Sequence, residues 1–433
     1  MEENKYDVIV IGAGMAGLLT AFYLQEQGKR VLVIEASEVA SGQTGRTTAK
    51  ITSQHGLKYS RLIETVGVER ARIYARANEA AILEYERLIK ARRIECGFER
   101  VPAYLYTREN SQILKAEARA AALLGIDAFF TTETELPFEV TGAVCFRQQA
   151  QFSALAFVEY IAAELDIQTH TQVKGIQGNK VITKDKEFWA NKIVVATHYP
   201  IKNVPGFYFL RQHQERSYVL VLSDCEKMKG MYLGIDKDGL SLRQSGELLL
   251  LGGSSCRTGD NRIGGAYDRL REAAGQYFPK GVEEAHWAAQ DCMPHDGIPF
   301  IGRYSLFTPN LYVATGFQKW GMTTSMVAAH ILRDEICGVR NPYGELFSPQ
   351  RFYGKAAWGN LMTDIGVSIK GLWKGVVCRK VPRCSHMGCE LVWNPEEESW
   401  DCPCHGSRFH SEGSLMDNPA KKAMKRDCQN RPL

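Results

Sequence analysis

Little in this sequence points to a membrane, a nucleic acid or a secreted scaffold. No stretch approaches the roughly 20 consecutive apolar residues of a bilayer span, so no membrane span is expected. The opening Met1-Glu-Glu-Asn-Lys runs straight into an apolar strand. It lacks the basic start and long apolar core of a signal peptide, and a cytoplasmic location is expected. The net charge is only +4 over 433 residues, and no Lys/Arg cluster recommends a nucleic-acid partner. Internal repeats, low-complexity tracts and a second Gly-x-Gly-x-x-Gly are all missing. Apolar content of 45% and charged content of 24% are those of an ordinary globular chain. The length exceeds the roughly 250–300 residues at which a single core stops growing, which implies two or three cores.

What is present is concentrated at the two ends. Of 12 cysteines, seven are scattered from Cys96 to Cys378, Cys428 lies in the tail, and four crowd together with two histidines. In a cytoplasmic chain such crowding reads as metal binding before it reads as a disulfide framework. The two runs are Cys384-Ser-His386-Met-Gly-Cys389 and Cys402-Pro-Cys404-His405-Gly-Ser407. Zinc accepts two Cys and two His, but zinc-finger spacing groups cysteines with cysteines and histidines with histidines. Here each run supplies both types, which suits a Rieske centre, where one iron takes two thiolates and the other two imidazoles.

Over about Val376–Ala423 the chain closely resembles Rieske proteins. That resemblance implies a 2Fe-2S cluster held by Cys384, His386, Cys402 and His405. It also implies a disulfide between Cys389 and Cys404, and a covering loop containing Gly413 and Pro419. His410 falls outside the motif and is expected at the surface.

At the other end, a β-α-β opening spans Tyr6 to Glu35, with strands at Asp7–Ile11 and Arg30–Ile34 and a helix near Ala16–Gln27. Gly12-Ala-Gly14-Met-Ala-Gly17 joins the first strand to the helix. Gly12 permits the tight turn, Gly14 the approach of a pyrophosphate, and Gly17 close helix–strand packing. The helix N-terminus offers free N–H groups to phosphate, and Glu35 ends the second strand where a carboxylate accepts from ribose hydroxyls. Helical spacing continues over Leu57–Arg92. Lys192–Thr197 and Tyr312–Thr315 read as buried strands, and a helix follows over Thr323–Ile336. Arg216–Leu222, Gly239–Arg243 and Glu247–Gly252 read as antiparallel strands of a second sheet. Lys355–Val377, with Trp358, Leu361, Ile365, Ile369, Leu372 and Trp373 at helical spacing, reads as a connector.

The N-terminal glycine motif, Ala196-Thr197, Asn310-Leu-Tyr-Val-Ala-Thr-Gly316, Trp320-Gly-Met-Thr323 and Asp296-Gly-Ile-Pro-Phe-Ile-Gly302 together resemble the D-amino-acid oxidase, glycine oxidase and sarcosine oxidase family over most of residues 1–340. The resemblance implies FAD and oxidation of C–N bonds in amines or amino acids. It implies an α/β FAD-binding domain, Rossmann-like and of the glutathione-reductase type, built from residues 1–75, 150–205 and 285–345. An interleaved α+β substrate domain (76–149 and 206–284), a helical linker (346–375) and a small all-β Rieske domain (376–433) complete the expected layout. The expected flavin-binding set is Gly12, Gly14, Met15, Ala16, Gly17, Glu35, Ala36, Thr44, Arg46, Thr47, Val173, Ala196, Thr197, Gly316, Gly321, Met322 and Thr323.

Relatives that oxidise amino acids commonly carry an Arg shortly before the Asp-Gly pair. Here that region reads Gln290-Asp291-Cys292, which weakens an α-amino acid and leaves other amines open. Candidate catalytic residues are Tyr218, Arg243 and Asp291. Arg243 serves either an anionic group or a structural salt bridge, and Asp291 either a cationic amine, a helix cap or the surface. His55 and Gln54 face the flavin or line the pocket wall. Cys292 lies close to where some sarcosine oxidases attach flavin, but its spacing to Asp296 is shorter, so non-covalent FAD is expected. The resulting scheme takes electrons from a small-molecule reductant through FAD and the cluster to an external acceptor. Two alternatives remain: an electron-transfer component serving a partner enzyme, and a redox sensor without turnover.

Overall fold

The computed structural model describes residues 5–351 and 382–425, and the expected helical connector at Lys355–Val377 lies outside them. Strands Lys5–Ile11, Val31–Ile34, Ile167–Gln168, Glu187–Val195 and Leu311–Thr315 pair in parallel. Gly175–Gln177, Lys180–Ile182 and Phe300–Arg303 add antiparallel edges. Val8, Ile9 and Val10 are all fully buried because helices and loops cover both faces, which explains their unbroken apolar run. Helix Met15–Glu26 packs against helix Gly321–Ile336, which also touches the long helix Val68–Arg92. The apolar region read as Leu57–Arg92 forms two helices, Tyr59–Val66 and Val68–Arg92, divided at Gly67 with φ +84°.

A second, mixed sheet runs in the order Val282–Pro294, Gln212–Ser223, Leu248–Arg257, Ser241–Ser245, Met231–Gly234, Ala103–Thr107, Gly142–Phe146 and Ala128–Thr131. Its strand Gln212–Ser223 alternates between buried and half-buried residues over its first half, as a sheet with one packed face requires. The C-terminal unit is an antiparallel meander of Val392–Asn394, Ser399–Asp401, Arg408–His410 and Leu415–Asp417. Trp393 and Trp400 face one another across its first pair with ring centroids 5.2 Å apart. Its small core holds Cys384, Cys389, Cys402 and Cys404 with Leu391, Phe409, Ala420 and Met424.

The meander packs onto the second sheet through a buried polar seam. Arg216 reaches Glu397 at 2.6 Å, and Arg408 holds Glu397, Asp401 and Asp417 at 3.2, 3.1 and 3.2 Å. Asn418 Nδ2 donates to the carbonyls of Thr197 and Tyr199 at 2.8 and 2.9 Å.

Candidate functional site

The turn at Gly12–Gly17 is fixed by sterics. Gly12 has φ +108°, and a Cβ there would lie 2.5 Å from the Ala196 carbonyl oxygen; one on Gly17 would lie 1.9 Å from the Gly12 oxygen. Only glycine satisfies both. The Glu35 carboxylate accepts from Ala13 N–H at 2.8 Å and Ser37 N–H at 2.9 Å, and Thr44 Oγ1 accepts from Met15 N–H at 3.0 Å.

From this turn a cavity of about 1110 Å³ extends to the second sheet. It is lined by fifteen of the seventeen residues expected around the flavin; Gly17 and Thr323 are not among them. Gly17 serves packing, and Thr323 Oγ1 instead donates to the Thr52 carbonyl at 3.1 Å. Gly321 and Met322, at the start of helix Gly321–Ile336, line the cavity with no side-chain cap on that helix, so its first amides remain as donors. An extended cavity with a glycine turn, a terminal carboxylate and helix N–H groups fits FAD.

The substrate-side wall was not legible as a set. Glu215 and Asp291 are register partners on adjacent strands, and both line the cavity with Ser217, Ser255 and Lys319. Lys319 Nζ lies 3.4 Å from Glu215 and 2.7 Å from Ser255 Oγ. A hydrogen bond from His213 holds Glu215 down at about 2 against burial, with Lys319 assisting. Burial pushes Asp291 up to about 7; Lys319 opposes and the Glu215 charge adds to the rise. Lys50 also lines the cavity and donates to the Tyr232 carbonyl and Ser241 Oγ at 3.0 and 2.6 Å; burial lowers it to about 7. His55 lines the wall and stacks on Trp320 with centroids 4.7 Å apart.

Of the three catalytic candidates, Tyr218 and Asp291 line the cavity and Arg243 does not. Tyr218 accepts a 2.7 Å hydrogen bond from Asn261. Arg243 serves neither of its expected roles. Its guanidinium donates to Gln151 Oε1 and to the carbonyls of Thr48 and Phe152, and it has no ion pair among the described residues. Asp291 sits on strand Val282–Pro294, not at a helix cap. Cys292 is buried, its thiol contacts the His198 carbonyl at 3.6 Å, and burial raises it well above its ordinary value. A protonated, enclosed thiol outside the cavity is a poor nucleophile. The Asp296 carboxylate is bound by Arg351 at 2.8 and 3.0 Å, which gives the Asp-Gly motif a structural role at the wall's base.

In the C-terminal unit, Cys384 and Cys402 are fully buried and their thiols hydrogen-bond one another. The His386 and His405 rings lie 5.0 Å apart at 90°. Nδ1 of His386 is buried without a hydrogen-bond partner among the described residues. Two adjoining thiols and two facing imidazoles, one with an unsatisfied ring nitrogen, fit a 2Fe-2S centre of mixed ligation. His410 is exposed. The expected Cys389–Cys404 disulfide is not formed. Both are free thiols, gathered with Cys402 so that the three sulphurs lie within 4.8 Å of one another. They hydrogen-bond in that group and are not at the roughly 2.05 Å of a covalent bridge.

Two amides connect the cavity wall to the cluster loop. Gln290, a lining residue, donates from Nε2 to the Gly406 carbonyl at 2.9 Å and to Gln214 Oε1 at 2.5 Å. Gln214 donates to the His405 carbonyl at 2.6 Å. Neither was legible in the sequence, where nothing marks them.

Comparison with known proteins matches residues 7–335 to the family model for FAD dependent oxidoreductases and residues 374–427 to that for the Rieske [2Fe-2S] domain. A protein of Bacillus subtilis described as a putative Rieske 2Fe-2S iron-sulfur protein, YhfW, is 33% identical over 98% of this chain and 94% of its own length. A cytochrome b6-f complex iron-sulfur subunit of Trichormus variabilis is 44% identical over 10% of this chain and 25% of its own. Glycine oxidase from Geobacillus kaustophilus shares the fold, with TM-score 0.65 and 20% identity over 81% of this chain and 99% of that one. L-proline dehydrogenase from P. horikoshii does likewise, with TM-score 0.65 and 17% identity over 81% and 98%.

Proposed function

Because the chain belongs to the FAD-dependent oxidoreductase family and carries a C-terminal Rieske [2Fe-2S] domain, we propose that it is a dehydrogenase of small amines or amino-acid-like compounds that delivers electrons singly, through the cluster, to an external acceptor. Bound flavin supplies a two-electron hydride acceptor and the cluster a one-electron carrier. Hydride acceptance puts negative charge on the ring, and the open amides at Gly321–Met322 would stabilise it.

Gln290 carries the reading: it lines the substrate cavity and hydrogen-bonds the loop that bears His405. Support for an amine comes from the paired carboxylates Glu215 and Asp291 on the wall. Glu215 is charged at neutral pH, and Asp291, near its midpoint there, is poised to take the proton an ammonium must lose before its C–N bond is oxidised. Eight cysteines outside the cluster's ligand set are unpaired among the described residues, which suits a reducing, cytoplasmic setting.

Anaerobic addition of a panel of amines, with the flavin's visible absorbance followed, tests the reading. Bleaching by an amine, followed by cluster reduction, is expected. Bleaching only by NAD(P)H with a reductase would replace the reading with an electron-transfer component, and no bleaching by any reductant with a sensor.

A further inference from the structure

The two imidazoles of the cluster motif have different surroundings. His405 is 1% exposed and its loop is tied to the cavity wall. His386 is half-buried and Met387 beside it is exposed. His386 Nε2 lies 2.8 Å from Asn203 Oδ1, so with Nδ1 given to iron the Nε2–H donates to the asparagine. Around Asn203 the chain presents Lys202 and the exposed Val204 and Phe207. Lys421 Nζ reaches the Lys174 carbonyl at 3.4 Å, and Lys202 Nζ the Ile176 carbonyl at 3.1 Å. Three lysines therefore share one ridge beside His386, with Lys421 also lining the cavity. After burial, the charges of Lys202 and Lys174 hold Lys421 below its ordinary value. None of the three lysines pairs with a carboxylate among the described residues.

We infer that this ridge is the electron exit, and that it docks a one-electron carrier protein whose own redox centre is surrounded by negative charge. This rests on the reading that the cluster discharges to an external acceptor. The loop of His405, bonded through its carbonyls to the cavity wall, serves entry, while His386, bonded to Asn203 beside the ridge, serves exit. A small apolar patch rimmed by one sign of charge suits a transient electron-transfer encounter, which buries less than about 1,200 Å² and is steered by rim charges. A positively charged carrier meets three uncompensated lysines and is repelled. Oxidation of one amine to its imine releases two electrons and two protons. Each encounter removes one electron, so two carrier molecules are reduced per substrate and both protons pass to solvent.

The test uses the full chain loaded with flavin and iron, reduced with dithionite and desalted anaerobically, so that amine oxidation plays no part. It is mixed with ferricyanide, an anion, or with cobalt(III) tris-phenanthroline, a cation, at several ionic strengths. The cluster-free Cys402→Ser protein supplies the background of direct flavin oxidation. Ferricyanide oxidation is expected to slow as salt rises, and oxidation by the cobalt complex to quicken. Combined Lys174→Glu and Lys202→Glu should weaken both trends and slow ferricyanide several-fold at low salt, with the cluster's EPR signature unchanged. Lys174→Glu alone, at an exposed position, should shift rates in the same sense by less. An acidic c-type cytochrome should behave like ferricyanide, and basic mitochondrial cytochrome c like the cobalt complex. Equal, salt-insensitive rates for the two ions, or charge reversals without effect, would overturn the inference. A failed amine screen would leave these rates untouched, so the two readings fail separately.

Discussion

Glu397→Gln removes one carboxylate at the seam between the C-terminal meander and the second sheet. Arg216, 1% exposed, has its terminal nitrogen 2.6 Å from Glu397, and its Nε and other terminal nitrogen have no partner among the described residues. Arg408 would keep Asp401 and Asp417 at 3.1 and 3.2 Å. The uncompensated cation therefore arises on the flavoprotein side, and only while the seam is closed. Removing one partner of a buried pair costs about 3–5 kcal/mol. Glutamine retains an acceptor and Glu397 is 17% exposed, so about 2–3 kcal/mol is expected. At about 1.4 kcal/mol per tenfold, the closed-to-open ratio falls roughly 30- to 150-fold. Flash photoreduction of the flavin, with cluster reduction followed optically, reads the consequence without substrate, and limited proteolysis reads release of the C-terminal unit. Slower or smaller cluster reduction and easier release are expected, with iron content and EPR line shape unchanged. If a folded variant shows neither change, the seam does not hold the two redox units together.

Gln290→Leu strips the hydrogen bonds from the Gly406 carbonyl and Gln214 Oε1, each buried acceptor costing about 1–3 kcal/mol; cluster reduction should slow while flavin reduction by substrate does not. Asp291 has a folded value near 7, above its unfolded one, because burial disfavours its charge. The unfolded chain therefore loses this proton first, and folded stability falls as pH rises from about 4 to 7, then levels. Asp291→Asn should match the parent in thermal melts near pH 4 and exceed it by about 1–3 kcal/mol at pH 8, the range allowing for partial exposure; equal stability at both pH values would show the carboxyl to be solvated. Gly12→Ala drives a Cβ to 2.5 Å from the Ala196 oxygen, and purified protein should lose its yellow colour while keeping iron.

Both cofactor sites were legible because their determinants are local. Six residues span the glycine turn from Gly12 to Gly17, and each cluster run also fits within six. The wall between them was not, because it is made by register. Glu215 meets Asp291 only once strands Gln212–Ser223 and Val282–Pro294 pair, and Arg216 meets Glu397 181 positions away. Arg243 was misread for the same reason: carbonyl acceptors at Thr48 and Phe152 leave no trace in a sequence. The disulfide expectation came from likeness to other Rieske proteins, whereas here Cys389 and Cys404 share their surroundings with Cys402 as thiols.

Freeze-quenched EPR after flash photoreduction of the flavin, in iron-loaded protein without added carrier, addresses the electron route most directly. A rhombic Rieske signal should grow as the flavin loses its electrons, with one spin per electron transferred. Reduced flavin persisting beside a cluster that stays oxidised, or zinc in place of iron on elemental analysis, would contradict the account.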